Sequence, residues 1–388
     1  MTKGQQQLIG LVRLAMHPKD IDVIPLVLIH EDIDWKEIFD EAQKQSLTGI
    51  AFVGFKRWFT LDSENKVSSP INKRLFAQWA GLCEKIKDDN LLLNQRTSQV
   101  CDNLAKDGFR STIMKGQGNA LVYAEDLSLM RSSGDIDVWV EGGYHKIYEY
   151  VQKIAPTKRV NQMEMDFNVF SDAEVEVHYR PFILRHPLRN RRLKKFVKLY
   201  SEQCFNNRVK LLTTDKEGKD NWREAVITTI PFNLVHQLAH IHLHLLTEGI
   251  GLRQVMDYYY QLVQADKYLS QQDKVEVLNV IRDVKLDKFA SALIWILSEH
   301  FGLAEECQLW KPNKEDGEFL LEEIMRTGNF GQKDERRPDG LQVGGLNFFL
   351  YVQKRNLVMS RFDRTDWFWG SLWRIYYFFW RKIHGFTR

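Results

Sequence analysis

Hydrophobic residues recur every three or four positions through most of the first hundred residues, which is the period of a helix with one buried face. Asp34 precedes one of these sets and is placed to cap its helix. A short apolar run at 24–29 fits either a strand or a buried helix. The pattern predicts a helical N-terminal region over residues 1–107, with helices around 8–15, 34–45, 76–83 and 88–105.

The period changes to two after residue 108, and such alternation is typical of β-strands. Apolar stretches at 111–115 and 136–140 predict two strands. Alternating runs at 165–170 and 174–179, joined by a short polar turn, predict a β-hairpin. These strands predict a small sheet that forms the core of the chain over residues 108–185.

Helical spacing returns beyond the sheet and predicts a helical C-terminal domain over residues 186–388. The helical pattern is clearest at 232–264, where it predicts a pair of helices. The basic run at 180–198 fits a solvated connecting helix, and a surface for a polyanion is the alternative. The stretch 328–345 is rich in glycine and charge and predicts a mobile loop.

The last segment, 351–388, contains eight lysines and arginines, two aspartates and the run WFWGSLWRIYYFFW. This run is too short to span a bilayer and has Arg374 in its middle. The first interpretation is a helix that packs on the core or forms a partner contact, such as a homodimer. The second is a peripheral membrane contact through aromatic and basic side chains.

Composition limits the class of protein. A chain of 388 residues exceeds the usual size of a single hydrophobic core, so two or three subdomains are expected. The net charge of +3 is too small to indicate nucleic-acid binding by itself. The four cysteines lack metal-site spacing and fit reduced core residues. We see no secretory signal and no apolar run of membrane-spanning length, and we predict a cytoplasmic protein.

Asp135 and Asp137 open the second predicted strand, and their side chains point the same way because strand residues alternate between faces. Two neighbouring carboxylates repel each other unless a cation lies between them, and oxygen ligands suit Mg²⁺ or Mn²⁺. Such a pair can bridge metal ions to a triphosphate. The turn that begins at Lys115 has glycines that let backbone approach a phosphate closely.

The pattern around this pair resembles the bacterial uncharacterised nucleotidyltransferase family of the polymerase β-like nucleotidyltransferase superfamily. The matching residues are Lys115, Gly116, Tyr123, Arg131, Gly134, Asp135 and Asp137, and the turn also contains Gly118. The resemblance implies an α+β fold with a small mixed sheet flanked by helices, and Asp135 and Asp137 as metal ligands. Which group holds the terminal phosphates is left open, and the candidates are Lys115 and Arg131, with Ser132 and Ser133 as hydroxyl donors. For Lys115 a solvated lysine is an equal alternative, and for Arg131 an ion pair with Glu125 or Asp126 is the lesser one.

The family's third carboxylate lies two residues before a histidine and an aromatic residue, and Glu176, His178 and Tyr179 match that pattern. The resemblance therefore makes Glu176 the third metal ligand, or the base that prepares the attacking hydroxyl. His178 is expected to orient Glu176 or to contact a phosphate. Many superfamily members have a serine after the first glycine of the turn, whereas this chain has Gln117.

A histidine row is predicted on one face of the helix in 232–264, because His236, His240 and His244 are spaced by four. The glutamate of a zinc HExxH motif is missing, so a buried or cleft-lining row is favoured over a metal site. The resemblance places four residues near the active-site mouth, and structural support is an equal alternative for the Arg–Asp pair. The four residues are His240, His244, Arg253 and Asp257, with Arg253 expected to pair with Asp257.

These observations predict a metal-dependent nucleotidyltransferase that moves a nucleoside monophosphate from an NTP, with ATP as the default, to an acceptor and releases pyrophosphate. The acceptor is a small molecule, a sugar, a protein or an RNA end. The first alternative is a catalytically inactive nucleotidyltransferase fold that serves as a binding or regulatory protein. The second is a glycosyltransferase that uses an Asp-x-Asp motif and a sugar nucleotide.

Overall fold

The computed structural model describes residues 1–17, 33–65, 71–215, 217–331, 334, 336–337 and 345–386. The apolar run 24–29 lies outside these residues, as does most of the predicted loop 328–345. In the described part of the N-terminal region, four helices precede the sheet: α1 (Lys3–Met16), α2 (Trp35–Lys44), α3 (Thr48–Asn65) and α4 (Lys73–Lys106). As predicted, Asp34 caps α2, and its side chain accepts hydrogen bonds from the backbone N–H groups of Lys36 and Glu37.

The long helix α4 corrects the prediction of two separate helices at 76–83 and 88–105, because it runs without a break for 34 residues. The charged stretch 84–89 interrupts the apolar pattern but contains no proline or glycine to end a helix. The side chains of this stretch are exposed or half-buried, so the helix continues through it at the surface. α4 contacts β1 and carries residues that support the site.

The sheet has four strands in the order β1 (Ser111–Met114), β2 (Ile136–Val140), β4 (Val175–His178) and β3 (Glu164–Asp166). β1 runs antiparallel to β2, β2 runs parallel to β4, and β3 runs antiparallel to β4. The helices between these strands are α5 (Gly116–Ala120), α6 (Glu125–Ser128) and α7 (Gly143–Ile154). The predicted α+β fold with a small mixed sheet is thus confirmed, and so is the hairpin, although β3 is shorter than predicted.

Alternation along β2 separates the two sides of the sheet. Ile136 and Val138 pack with apolar residues of α4, α7 and the other strands. Trp139 points to the opposite side, where its ring stacks on that of Phe232 with centroids 5.4 Å apart. Asp137 shares the side of Trp139, so burial of Ile136 and Val138 fixes the direction of its carboxylate.

The remaining α-helices and β-strands of the described residues are α8 (Pro187–Asn206), β5 (Arg208–Thr214), β6 (Asp220–Val226), α9 (Ile230–Thr247), α10 (Leu252–Tyr268), α11 (Gln271–Asp283), α12 (Asp287–Phe301), α13 (Lys314–Thr327), α14 (Gly345–Met359) and α15 (Arg364–His384). β5 and β6 form an antiparallel hairpin that the sequence pattern did not predict. Many of its side chains are charged and face solvent, so its apolar alternation is weak. Within the described ranges, no helix has the length and apolar run needed to cross a bilayer.

Candidate active site

A strained turn after β1 brings the ammonium group of Lys115 to the acidic strand β2. Lys115 has φ 47° and Gly116 has φ +32°, so both lie at positive φ. A Cβ atom on Gly116 would lie 3.3 Å from the backbone oxygen of Asp135, which leaves little room for a side chain. The turn directs the Lys115 ammonium back to β2, where its Nζ lies 2.7 Å from Asp137 Oδ1.

Asp137 and Glu176 are direct neighbours across the parallel strands β2 and β4. His178, two residues further along β4, places its Nε2 atom 2.8 Å from Asp137 Oδ1 and 4.0 Å from Glu176 Oε2. Asp137 and His178 are both buried, whereas Glu176 is partly open to the cavity. The register of the sheet therefore brings two carboxylates and an imidazole together, although Asp137 and His178 are 41 positions apart in the sequence.

The charges in this cluster move the pKa values of its groups in opposite directions. Burial, together with the charges of Glu164, Asp137 and Asp135, raises the pKa of Glu176 to about 9. The charge of Asp137 and burial raise the pKa of Asp135. Burial would also raise the pKa of Asp137, but Lys115 and the hydrogen bond with His178 hold it well below its usual range. The cluster thus holds more carboxylates than its one ammonium neutralises.

The residues present fit a divalent cation. One ligand atom from each of Asp137, Glu176 and His178 lies within 4.8 Å of the others. Crowded carboxylates with raised pKa values favour a bound cation, and oxygen donors suit Mg²⁺ or Mn²⁺. The sequence predicted Asp135 in this set and gave His178 another role, whereas the geometry groups His178 with Asp137 and Glu176. Asp135 lies one residue before β2 and lines the same cavity.

Arg131 forms a buried, bidentate ion pair with Asp257. Its Nε and Nη2 atoms donate to Asp257 Oδ1 and Oδ2 at 2.7 and 2.8 Å, and Tyr123 donates to Oδ1 at 2.8 Å. The expected pair between Arg253 and Asp257 is therefore corrected, since Arg253 instead donates to the carbonyl of Ser132 at 2.9 Å. The alternative surface pair of Arg131 is also wrong, because Arg131 is 2% exposed and its guanidinium pairs with Asp257.

The structure also shows the contacts of the predicted phosphate-binding serines and glycines. Ser133 Oγ accepts a hydrogen bond from Arg131 at 2.9 Å, so Arg131 and Arg253 together fix the backbone of Ser132 and Ser133. Gly118 lies against β1 and Ile227, where an added Cβ would make only ordinary contacts. Of these positions, the close approach that requires glycine is found at Gly116.

A cavity of about 990 Å³ extends from the acidic cluster to the C-terminal helices. His240 and His244 line it, with ring centroids 4.3 Å apart, as the predicted cleft-lining row requires. His236 continues the row with its ring centroid 5.9 Å from that of His240, and burial lowers its pKa to about 3. The part of the lining that comes from α14 and α15 is aromatic and basic. Its residues include Phe348, Phe349, Trp373, Arg374, Tyr377, Phe378 and Arg381.

A family model described as "Uncharacterised nucleotidyltransferase" matches residues 31–302, which is more than half of the chain. The chain belongs to this family. The resemblance inferred from the Lys-Gly turn and the acidic pair is therefore confirmed. No curated protein matches the sequence. The crystal structure of an antigenic nucleotidyltransferase-like protein from Paracoccidioides brasiliensis matches with 12% identity and a TM-score of 0.27, covering 58% of this chain and 95% of that chain.

Gln117 ties the strained turn to α4. Its side-chain Nε2 donates to Asn94 Oδ1 at 2.6 Å, and it is 2% exposed. Asn90, one turn earlier on α4, donates to the carbonyls of Leu129 and Arg131 at 2.9 and 2.8 Å. These amides satisfy buried backbone groups and hold the turn and the Arg131 segment at a fixed distance.

Sequence reasoning missed two acids of the site. Glu164 Oε2 lies 3.2 Å from His178 Nε2, and Asp166 is paired with Glu176 across β3 and β4. Both line the cavity. The signal was present in the alternation of the hairpin, since Glu164 and Asp166 oppose His178 and Glu176 in register. The predicted strand began one residue too late to include Glu164.

Proposed function

We propose that this protein transfers a nucleoside monophosphate from an NTP, ATP by default, to an acceptor and releases pyrophosphate. The observation that carries the proposal is the pairing of Asp137 with Glu176 across two parallel strands, beside the positive-φ turn at Lys115. Family membership supports the nucleotidyl donor and disfavours a sugar-nucleotide glycosyltransferase. The acceptor is a small molecule, a sugar, a protein or an RNA end.

Asp135, Asp137 and Glu176 are the residues that would hold Mg²⁺ or Mn²⁺, with His178 as a further ligand or as the hydrogen-bond partner that orients Asp137. When bound, such a cation offsets the negative charge of the triphosphate and of the departing pyrophosphate. The crowding of carboxylates around Glu176 is the property of the chain that favours it.

Two cations of the chain face the place where a triphosphate would lie. Lys115 carries a raised pKa, because Asp137, Asp135 and Glu164 outweigh the effect of burial, so it stays charged. Arg253 lines the cavity, and its buried Nε atom has no hydrogen-bond partner among the described residues. A buried donor without a partner gains from an anionic oxygen. We therefore assign phosphate contacts to Lys115 and Arg253, and we assign to Arg131 the support of the Ser132–Ser133 backbone.

Glu176 is the group best placed to take a proton from an acceptor. Its carboxylate is partly open to the cavity. A bound cation would favour its ionised form, and that form can accept a proton. His178, 4.0 Å away, limits the positions that this side chain can adopt. In this assignment Glu176 accepts the proton of the acceptor hydroxyl or amine as that atom attacks the α-phosphorus of the NTP.

Titration of the purified protein with each NTP, with and without Mg²⁺, tests the proposal, and tryptophan fluorescence or calorimetry gives the affinity. We expect Mg²⁺ to strengthen binding of at least one NTP, and Asp137→Asn to remove that effect. Glu174→Gln is the control, because Glu174 lies two residues from Glu176 and is exposed. Tight binding without turnover in any extract would support the inactive binding protein, and binding of UDP-sugars alone would support the glycosyltransferase.

A further inference from the structure

The last helix, α15, turns its apolar side toward solvent. Its exposed residues fall on one face of the helix, and most are aromatic or aliphatic. The exposed apolar residues of α15 are Trp367, Phe368, Leu372, Ile375, Tyr376, Phe378, Phe379 and Ile383. Ile383 is 80% exposed and Phe379 is 58% exposed. A surface helix that packs on a core buries such a face, so the orientation of α15 is the reverse of the usual one.

Several polar groups at the start and in the middle of α15 point inward. Asp363 pairs with Arg189, and Asp366 lies 3.3 Å from His242 Nε2. The indole of Trp373 donates to Gln162 at 3.0 Å. These contacts fix the rotation of the helix, because a turn that buried Ile375 and Phe379 would withdraw both aspartates from their partners. The outward apolar face is therefore built into the packing.

The preceding helix, α14, adds to this surface. It packs beside α15, where Ser371 donates to Gln353 at 2.7 Å. Its own outward residues include Leu346, which is 71% exposed, and Leu357, which is 62% exposed. We name the exposed apolar residues of both helices the outer face. The α14 members are Leu346, Leu350, Leu357 and Val358.

The charges on the outer face have one sign. The only carboxylates in the described segment 345–386 are Asp363 and Asp366, and both are used inward. Exposed cations remain at Lys354, Arg364 and Lys382, and the last two lie at opposite ends of α15. An apolar, aromatic helix face bordered by cations matches an anionic lipid surface in both hydrophobicity and charge.

We propose that the outer face docks on the surface of an anionic phospholipid bilayer, with α14 and α15 lying in the plane of the interface. The apolar side chains enter the boundary between headgroups and acyl chains, and the three cations remain at the level of the phosphates. Neither helix crosses the bilayer, in keeping with the absence of a spanning helix from the described ranges. A second copy of the chain or a protein partner would lack the dependence on lipid charge.

This docking has a consequence for the cavity. Leu346, Ile375 and Phe378 belong to the outer face and also line the cavity that reaches the acidic cluster. Docking would thus place lipid at one wall of the cavity. The proposal itself does not depend on nucleotide transfer, since its evidence lies in α14 and α15 alone.

Sedimentation of the full chain with vesicles tests the proposal, using phosphatidylcholine alone and phosphatidylcholine mixed with phosphatidylglycerol. We expect binding to the mixed vesicles and much weaker binding to the neutral ones. The double variant I375D/F379D should lose binding to both. The matched control is L188D/L199D on α8, which changes two residues that are 68% and 57% exposed and should bind as the unchanged chain does.

A second variant tests the charge without touching the apolar side chains. R364Q/K382Q removes two cations, each of which strengthens binding to an anionic surface by roughly fivefold, so a loss on the order of twentyfold is expected on mixed vesicles. Absence of vesicle binding, equal binding to neutral and mixed vesicles, or full binding by I375D/F379D would each overturn the proposal. So would a dimer that light scattering shows to dissociate in I375D/F379D while vesicles bind nothing.

Discussion

Lys115 Nζ lies 2.7 Å from Asp137 Oδ1, the same oxygen that lies 2.8 Å from His178 Nε2. The ammonium is 17% exposed and the carboxylate 3% exposed, so this is a largely buried ion pair at the centre of the acidic cluster. It neutralises one charge among several, and the remaining carboxylates are those that favour a divalent cation.

Replacing Lys115 by Met should destabilise the metal-free protein by up to roughly 3 kcal/mol, because it leaves Asp137 buried with its charge less compensated. Mg²⁺ should restore more stability to K115M than to the unchanged chain, since a cation would take over the neutralisation. Thermal unfolding in EDTA and in Mg²⁺ measures both effects. Lys36→Met is the control, because the pair of Lys36 and Asp40 is exposed and should contribute less than about 1 kcal/mol. An unchanged melting temperature for K115M in EDTA would refute this reasoning.

Glycine is required at one position of the turn and dispensable at another. Gly116→Ala should destabilise the protein by about 1–2 kcal/mol, because φ is +32° and the new Cβ would press on the Asp135 backbone oxygen. It should also weaken metal and NTP binding, since Lys115 and Asp135 both shift. Gly118→Ala should be tolerated, as its Cβ meets only ordinary contacts. Denaturant unfolding and NTP titration compare the two, and equal effects would contradict the assignment.

The pH dependence of stability follows from Glu176. Its pKa is raised from 4.5 to about 9 in the folded metal-free protein, so folding favours the protonated form. The stability from this group is fully present below about pH 4.5 and is lost as the pH rises toward 9. In EDTA at about pH 8, Glu176→Gln should therefore raise the melting temperature by a few degrees.

Two comparisons control this prediction. Glu174→Gln, one residue before the same strand and exposed, should leave the melting temperature unchanged. At about pH 4 the E176Q variant and the unchanged chain should unfold at nearly the same temperature, because Glu176 is then protonated in both states. A lower melting temperature for E176Q at about pH 8 would show that the surroundings stabilise the ionised carboxylate, which is the opposite of the raised pKa of Glu176.

Two substitutions in the buried network around Asp257 compare the loss of a charge with the loss of a single hydrogen bond. Asp257→Asn should cost roughly 3 kcal/mol or more, because it leaves the buried Arg131 guanidinium without its anion. Tyr123→Phe removes one hydrogen bond to the same carboxylate and should cost about 1 kcal/mol. Urea unfolding of both variants measures the two losses in the free energy of unfolding. Equal losses would mean that Arg131 finds another counter-ion when Asp257 is gone.

The parts of the site predicted from the sequence are those set by local pattern. Alternation in β2 placed Asp135 and Asp137 on one face, and alternation in the hairpin placed Glu176 and His178 together. The family resemblance supplied their roles. What failed depended on contacts between distant segments. Arg131 and Asp257 are 126 positions apart, and nothing in the neighbourhood of either residue indicates that they pair.

The fold shows the same division. The sheet and most helices follow from periodicity, whereas the unbroken α4 and the β5–β6 hairpin do not. α4 remains helical across a charged stretch that contains no helix-breaking residue. Beyond that stretch, Asn90 and Asn94 are buried against other segments, which the spacing of apolar residues alone does not indicate. The β5–β6 hairpin packs on α4, so tertiary contacts compensate for its weak alternation.

The most direct test of nucleotide transfer compares the fate of the α-phosphate and the γ-phosphate of the same nucleotide. The protein is incubated with Mg²⁺, cell extract and ATP labelled at either the α- or the γ-phosphate, and the other NTPs are then tried in the same way. We expect the α-label to enter an acceptor and the γ-label to leave in pyrophosphate, and we expect Asp137→Asn to abolish both while Glu174→Gln does not. Transfer of the γ-label to the acceptor, or full transfer by D137N, would contradict the proposed function.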